Sequence, residues 1–413
     1  MKPKDFTRDR KINATDIILY NMNNHGKTTK MELYNFIQKV EKEKISSPGF
    51  LKQRLKLDPY IFKLINSDLL FDLYNFFQDE VKSYKESYLL LGIDGSDCEV
   101  PNTKETRERY KAEKSKKDDI VARIKLSNCF DLLNKRVLDT QVNSYRYSER
   151  KLAIKNIEEV SIITGDYTNI YIMDRGYFSI EFIYNLLKAK KMFVIRMCNS
   201  DLKKEREKLK SNDEQVDIEY QYDRLRYYKE KNNELYKFYK DGNKINIRIV
   251  NIELPTGEIE TLATNLSENI FSLDDLDYIY MTRWNSEINY HELKESMKIT
   301  NISSSKEIII KQEIYSQMLV YNTIQAVAMD ANEEIEQEKY KHKMKINFNM
   351  SVGIVKKLLI KIILEPNKKK AEKMYEELYH NFLEYIIPIR EGRHYPRKSG
   401  KKNKYSINKR KSF

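Results

Sequence analysis

Two short apolar runs constrain the fold of this 413-residue chain more than any other feature. Leu89-Leu90-Leu91-Gly92-Ile93 leads into Asp94, and Ile170-Tyr171-Ile172-Met173 leads into Asp174. Each is short for a helix and has the unbroken apolar character of a strand covered on both faces, as in the parallel part of an α/β sheet. A carboxylate just past the carboxyl end of such a strand stands where open α/β sheets gather their chemistry. The expected class is therefore α/β, with two aspartates at one edge of the sheet. Asp97 competes with Asp94 for the first position; Asp94 is preferred because it directly ends the run.

A third stretch, Tyr280 to Lys294, reads as one long helix preceded by Asp274, Asp275 and Asp277 as cap and first-turn acids. At about 100° per residue, Tyr280, Arg283, Glu287 and Lys294 share a stripe about 60° wide. Taken alone, an Arg-Glu pair four apart is ordinary helix support. Beside two strand-end aspartates it means more, because two Asp and a helix-borne Glu can hold two divalent cations about 3.5–4 Å apart and clamp both oxygens of a phosphoryl displacement. Hard carboxylate oxygens suit Mg²⁺, with Mn²⁺ as substitute. Asp94, Asp174 and Glu287 are thus the candidate catalytic and metal-binding residues. Arg283 and Lys294 are placed to reach phosphates, and Tyr280 to bond a phosphate or stack on a base.

The spacing Tyr280, two residues, Arg283, three, Glu287, six, Lys294 resembles the Y-(2)-R-(3)-E-(6)-K signature of bacterial insertion-sequence transposases of the DDE type, the "IS four" family. The words GIDGSDCEVP and YIMDRGYF resemble that family too, as do DFTRDRKI and SSPGFLKQRLKL near the amino end. The resemblance implies an RNase H-like catalytic core, a mostly β insertion, a helical N-terminal DNA-binding domain and a basic C-terminal arm. The expected divisions are 1–84 helical, 85–197 first part of the core, 198–276 insertion, 277–389 core completion and 390–413 tail. It also implies Mg²⁺-dependent cleavage at the ends of an insertion sequence, a hairpin intermediate, strand transfer into target DNA, and a homodimer in the DNA complex. Relatives use an insertion Trp to hold an unstacked base. The only Trp here is Trp284, which leaves that role to Tyr220 or Tyr222, or unfilled. An RNase H-like nuclease and a non-catalytic DNA-binding relative are the alternatives.

Composition agrees with a polyanionic partner: 75 Lys and Arg against 62 Asp and Glu give a formal charge of +13. Ten of the cations, against one Glu, fall between Arg390 and Phe413, which reads as a disordered basic arm. Three cysteines without CxxC spacing support neither a disulfide framework nor a zinc site, and a reducing cytoplasm is expected. No apolar run is long enough for a membrane span, and the amino end lacks a signal-peptide core, so a soluble, nucleoid-associated protein is expected.

Along the chain, Thr29-x-x-Glu32 reads as a capping box, and Ser47-Pro48 and Asp58-Pro59 as helix starts. Lys52, Arg54 and Lys56 then lie where a helical module would meet DNA. Residues 102–117 read as a loop or exposed helix, and Ala122 to Val142 as paired strands turning at Asn134-Lys135. Ser148 is expected to cap a helix that returns the chain to the Asp174 strand. Strands at Ile245 to Leu254 and Ile259 to Leu266, joined at Pro255-Thr256-Gly257, belong to the insertion. Helices at Ile308 to Met329, Val352 to Leu364 and Lys368 to Tyr385 complete the chain.

Overall fold

The computed structural model describes residues 5–8, 10–110, 113–114, 120–219, 222–254 and 257–389. The basic arm, Tyr220 and the Pro255-Thr256 turn lie outside them, as does the side chain of Tyr222. Among the described residues, eight strands form one sheet: β1 (Tyr88–Glu99), β2 (Arg123–Asp131), β3 (Arg136–Ser144), β4 (Thr168–Met173), β5 (Met192–Arg196), β6 (Asp213–Ile218), β7 (Ile245–Glu253) and β8 (Ile259–Thr264). Their spatial order is β3-β2-β1-β4-β5-β8-β7-β6. The β1–β4 and β4–β5 neighbours are parallel and the others antiparallel, so the sheet is mixed and mostly antiparallel.

Successive strand residues alternate between two helical layers, as the pleat requires. Leu90, Ile170, Ile172, Val194 and Leu262 enter one core; Leu89, Leu91, Ile93, Tyr171, Met173, Phe193 and Ile195 enter the other. The first core is shared with α1 (Ala14–Met22), α2 (Thr29–Lys39), α3 (Ser47–Arg54) and the start of α4 (Tyr60–Phe76). The second is closed by α6 (Glu149–Val160), α7 (Ile180–Lys188), α8 (Tyr222–Lys231) and α9 (Asn233–Lys240). Between them in sequence, α5 (Lys104–Tyr110) is a short helix in the charged stretch after β1. After β8 come α10 (Leu273–Met281), α11 (Trp284–His291), α12 (Glu307–Glu333), β9 (Met344–Ile346), α13 (Phe348–Leu364), α14 (Lys368–Glu384) and β10 (Ile386–Pro388), which pairs with β9.

The 27-residue α12 is the spine of the first layer, packing against α1, α4, β3, α13 and α14. Arg54 fastens α3 to it. This fully buried guanidinium donates to Asn21 Oδ1 (2.6 Å), Gln312 Oε1 (3.0 Å) and Glu313 Oε1 (3.1 Å) and lies 5.1 Å from the centre of the Tyr20 ring. It is therefore a structural cation and not a surface one available to DNA.

Four local expectations change. Thr29 forms no capping box: Thr28 is the cap residue, without a side-chain bond, and Glu32 reaches back to the amides of His25 and Lys27. Capping boxes occur instead at Asn13/Asp16 and Ser272/Asp275. β1 does not stop at Asp94 but runs on to Glu99 beside β2; what ends there is its pairing with β4, at Ile93↔Met173. Among the described residues, the segment between β5 and α10 contains three helices as well as strands, and its strands extend the main sheet through β8–β5 pairing. Finally, Tyr280 to Lys294 is not one helix. Arg283 N–H bonds the Tyr280 carbonyl, Asn285 that of Thr282 and Ser286 that of Arg283, tightening the chain to three-residue steps. Thr282 Oγ1 also donates to the Ile279 carbonyl (2.6 Å). Beyond His291 the helix widens into a π turn, Glu292–Ser296.

Candidate active site

The strand register brings the two aspartates together. Ile93 lies beside Met173 in parallel, so the next residues, Asp94 and Asp174, are neighbours on strands about 4.8 Å apart. Alternation puts both on the face of Leu90, Ile170 and Ile172, the face that α11 covers. The same rule aligns Arg196 after Val194 on β5 and Glu260 before Leu262 on β8. Asp94, Asp174 and Arg196 thus stand level on adjacent strands, and Glu260 lies on the same face, two residues from Leu262, the partner of Arg196. Arg196 joins the row, with Nη1 3.8 Å from Asp174 Oδ1 and Nη2 2.6 Å from Glu260 Oε1.

Glycine sets the height of α11 above that row. A Cβ on Gly92 would stand 2.3 Å from Ser286 Oγ and 2.9 Å from Leu132 Cδ2, so only glycine lets the helix approach this closely. Tyr290, one turn on, fixes the helix to the strands: its hydroxyl accepts from the Asn128 N–H (3.1 Å) and donates to the Asp94 carbonyl (2.9 Å). Asn285 donates to the Leu132 carbonyl (3.0 Å). Between these anchors α11 presents Glu287 to the aspartates.

The Arg283 guanidinium is buried, 5.5 Å from the Tyr280 ring centre and 5.3 Å from that of Trp284, and both its terminal nitrogens lie 3.3 Å from Glu287 Oε1. Tyr280 is buried beside it, with a hydroxyl that makes no well-formed hydrogen bond. Burial pushes that phenol up to about 12. Lys294 Nζ donates to Ser96 Oγ (2.5 Å) and the Asp97 carbonyl (3.0 Å), with the Tyr290 ring centre 5.8 Å away. Arg283 thus meets Glu287 directly, Tyr280 packs on Arg283, and Lys294 is held to β1.

Burial pushes the Asp94 carboxyl up to about 6. The Gly95 N–H, 2.8 Å from Asp94 Oδ1, and the charge of Arg283 oppose the rise, while Asp174 and Glu287 add to it. Asp94 thus feels both of the other acids. Among the described residues no three histidine, cysteine or acidic side chains converge tightly enough to hold a metal ion in this arrangement; Glu287 is engaged with Arg283. The donor set nonetheless fits a hard cation: Asp94 lies within the field of two further carboxylates, and the buried Asp174 Oδ1 has no hydrogen-bond partner. Asp97, the alternative to Asp94, is three residues further along β1, opposite Lys125.

Several neighbours were not singled out from the sequence. Glu149, on the first turn of α6, lies against Gly95 and Gly176, the glycines that follow the two aspartates, and its Oε1 is 2.6 Å from Lys125 Nζ. Arg196, Glu260 and Ser286 were likewise missed, and Tyr290 falls beside the helical stripe without a role of its own. Their signal is positional: each becomes visible only once strand pairing and helix height are known.

A family model described as "Transposase DDE domain" matches residues 85–323, more than half of the chain. The chain is 23% identical over 277 residues to the transposase InsG for insertion sequence element IS4 of Escherichia coli (strain K12), covering 66% of this chain and 58% of that protein. It thus spans about three fifths of the relative it matches. A solved piggyBac transposase synaptic complex with hairpin DNA superposes at a TM-score of 0.37 and 12% identity, over 71% of this chain and 57% of that one. That superposition is too loose to bear on the argument. With its matched region spanning β1 to the middle of α12, the chain belongs to the transposase DDE domain family.

Proposed function

We propose that this protein is a DNA transposase that cuts at the ends of an insertion sequence and joins them to target DNA, using Asp94, Asp174 and Glu287 as metal ligands. The observation that carries the reading is the in-register adjacency of Asp94 and Asp174 beneath a helix that Gly92 lets approach with Glu287. Mg²⁺ or Mn²⁺ bound by the three acids would activate a water or a 3′-hydroxyl and neutralise charge on the phosphate. The chain's own residues prepare that site. Arg196 holds Asp174 from one side, Tyr290 fixes the backbone of Asp94, and Arg283 orients Glu287. The side chains of Asp174 and Glu287 are 36% and 38% exposed, so a DNA strand can reach them without prior opening of the protein.

Strand, hairpin, helix, strand in the order β1, β2–β3, α6, β4 supports an RNase H-like core. Helical residues 1–84, an insertion over 198–276, completion over 277–389 and a basic arm over 390–413 are the proposed divisions. Double-stranded DNA, both terminal inverted repeats and target, is the proposed partner, and the need to pair two ends favours a homodimer in the nucleoid. No helix among the described residues is long and apolar enough to cross a membrane. The test is joining of a pre-cut end: a duplex from the flank of the gene, with a free 3′-hydroxyl, is incubated with supercoiled target and Mg²⁺ or Mn²⁺. Covalent joining is expected. Cleavage of DNA without any joining, across metals and salts, would replace this reading with that of a nuclease.

A further inference from the structure

A cleft of 540 Å³ opens between the β2–β3 turn, the π turn after α11, the end of α12 and the β9–β10 pair. Its walls carry Lys82, Lys135, His291, Lys343 and Lys345, but only two carboxylates. Both are engaged: Glu292 accepts from the Tyr321 hydroxyl (2.9 Å) and the Gln325 amide (3.2 Å), and Glu333 pairs with Lys82 (2.9 Å). Lys135, Lys343 and Lys345 form no ion pair among the described residues.

Hydrogen bonds hold the backbone that carries these side chains. The Asn134 amide accepts from the Lys82 N–H (2.8 Å) and donates to the Lys82 carbonyl (2.9 Å), tying that segment to the turn in which Lys135 sits at a φ of 52°. The Gln337 side chain accepts from the Met344 N–H (2.6 Å) and donates to the Met344 carbonyl (3.0 Å), which pins the start of β9 between Lys343 and Lys345. Lys82, Lys135, Lys343 and Lys345 are all exposed, so their ammonium groups can meet an anion, and a backbone held in place lowers the ordering cost of doing so. The cleft also includes a π turn, a rare element found frequently at functional sites. It lies near the active edge, because the β2–β3 turn bonds the Leu90 carbonyl, four residues or roughly 13 Å before Asp94 on β1. A duplex covers that distance in about four base pairs.

We propose that this cleft is a second DNA-contact site, which grips the phosphate backbone of the duplex a few base pairs from the reacting strand end. The inference rests on the DNA reading of the active site. Its test is fluorescence anisotropy of a 50-base-pair duplex of arbitrary sequence with the full chain, between 50 and 300 mM salt. The Lys135→Gln/Lys343→Gln/Lys345→Gln protein is compared with wild type, and the Lys343→Gln/Lys345→Gln pair, confined to an exposed strand, guards against misfolding. Each phosphate contact contributes about 0.9 to the slope of log affinity against log salt. The triple variant should therefore lose about 2 to 3 from the slope, the double variant about 2, and the triple at least tenfold in affinity at about 0.1 M salt. Variants that match wild type in slope overturn the cleft and leave the DNA reading standing. Wild-type protein with no salt-dependent DNA binding overturns both. A thermal shift with inorganic phosphate that the triple variant loses, alongside unchanged DNA binding, makes the cleft a small-anion pocket and also overturns the proposal.

Discussion

Lys294 donates both of its hydrogen bonds to the strand that carries Asp94, and so holds the end of the Glu287 helix against β1. Lys294→Ala should lower joining of a pre-cut end about ten- to a hundredfold, since a hydrogen bond to a charged group is worth roughly 1.5–3 kcal/mol. Mn²⁺ binding should change less; equal joining by variant and wild type removes Lys294 from the machinery. A different lysine sets a pH dependence. Lys356 is buried, with Nζ 2.5 Å from the Asn24 carbonyl, and burial lowers it from its ordinary 10.5 to about 8, with Glu32 opposing. Between about 8 and 10.5 the unfolded chain holds more protons, so stability rises with pH; below 8 both states are charged and the full cost, on the order of 3 kcal/mol, is present. In urea melts, Lys356→Met should therefore gain on wild type at pH 7.5 and lose part of that gain at pH 9.5. A gap that does not change with pH contradicts a lysine buried with its charge.

At the scale of elements, the central packing contact is that of α11 on β1 through Gly92 and Ser286. Gly92→Ala should cost about 1–3 kcal/mol and most of the strand cleavage, because the added methyl overpacks against Ser286 Oγ and lifts Glu287. Ser286→Ala in the same chain should recover part of both losses, read as a coupling energy in a double-mutant cycle. Purely additive losses would place the clash elsewhere. The aspartate strands were legible in the sequence because a run of buried residues is a local signal. The break at Thr282–Arg283 was not, since its three-residue hydrogen-bond steps leave no mark on composition. Helical angles drawn through residues 280–294 still grouped Tyr280, Arg283 and Glu287, because the break shifts phase without separating close neighbours.

For the molecule as a whole, long-range pairing was the illegible part. Nothing in Ile245–Glu253 or Ile259–Thr264 announces that these strands extend the same sheet as Asp94, since a β run does not name its partner. Arg54 was legible as a cation but not as a buried link between α3 and α12. Its replacement by Ala should cost about 3–5 kcal/mol by leaving Glu313 buried without its partner, a loss that chemical denaturation reads directly. A change below about 1 kcal/mol would show that the N-terminal helices are held by apolar contacts alone. The account as a whole turns on Asp94, Asp174 and Glu287 forming one centre, and its most direct test is cleavage of a plasmid that carries the gene with its flanking DNA. With Mg²⁺, Asp94→Ala, Asp174→Ala and Glu287→Ala should each abolish strand cleavage while end binding in a parallel gel shift stays largely intact. Near-normal cleavage by any one of the three contradicts the account at that residue, with Asp97 the next candidate if the exception is Asp94.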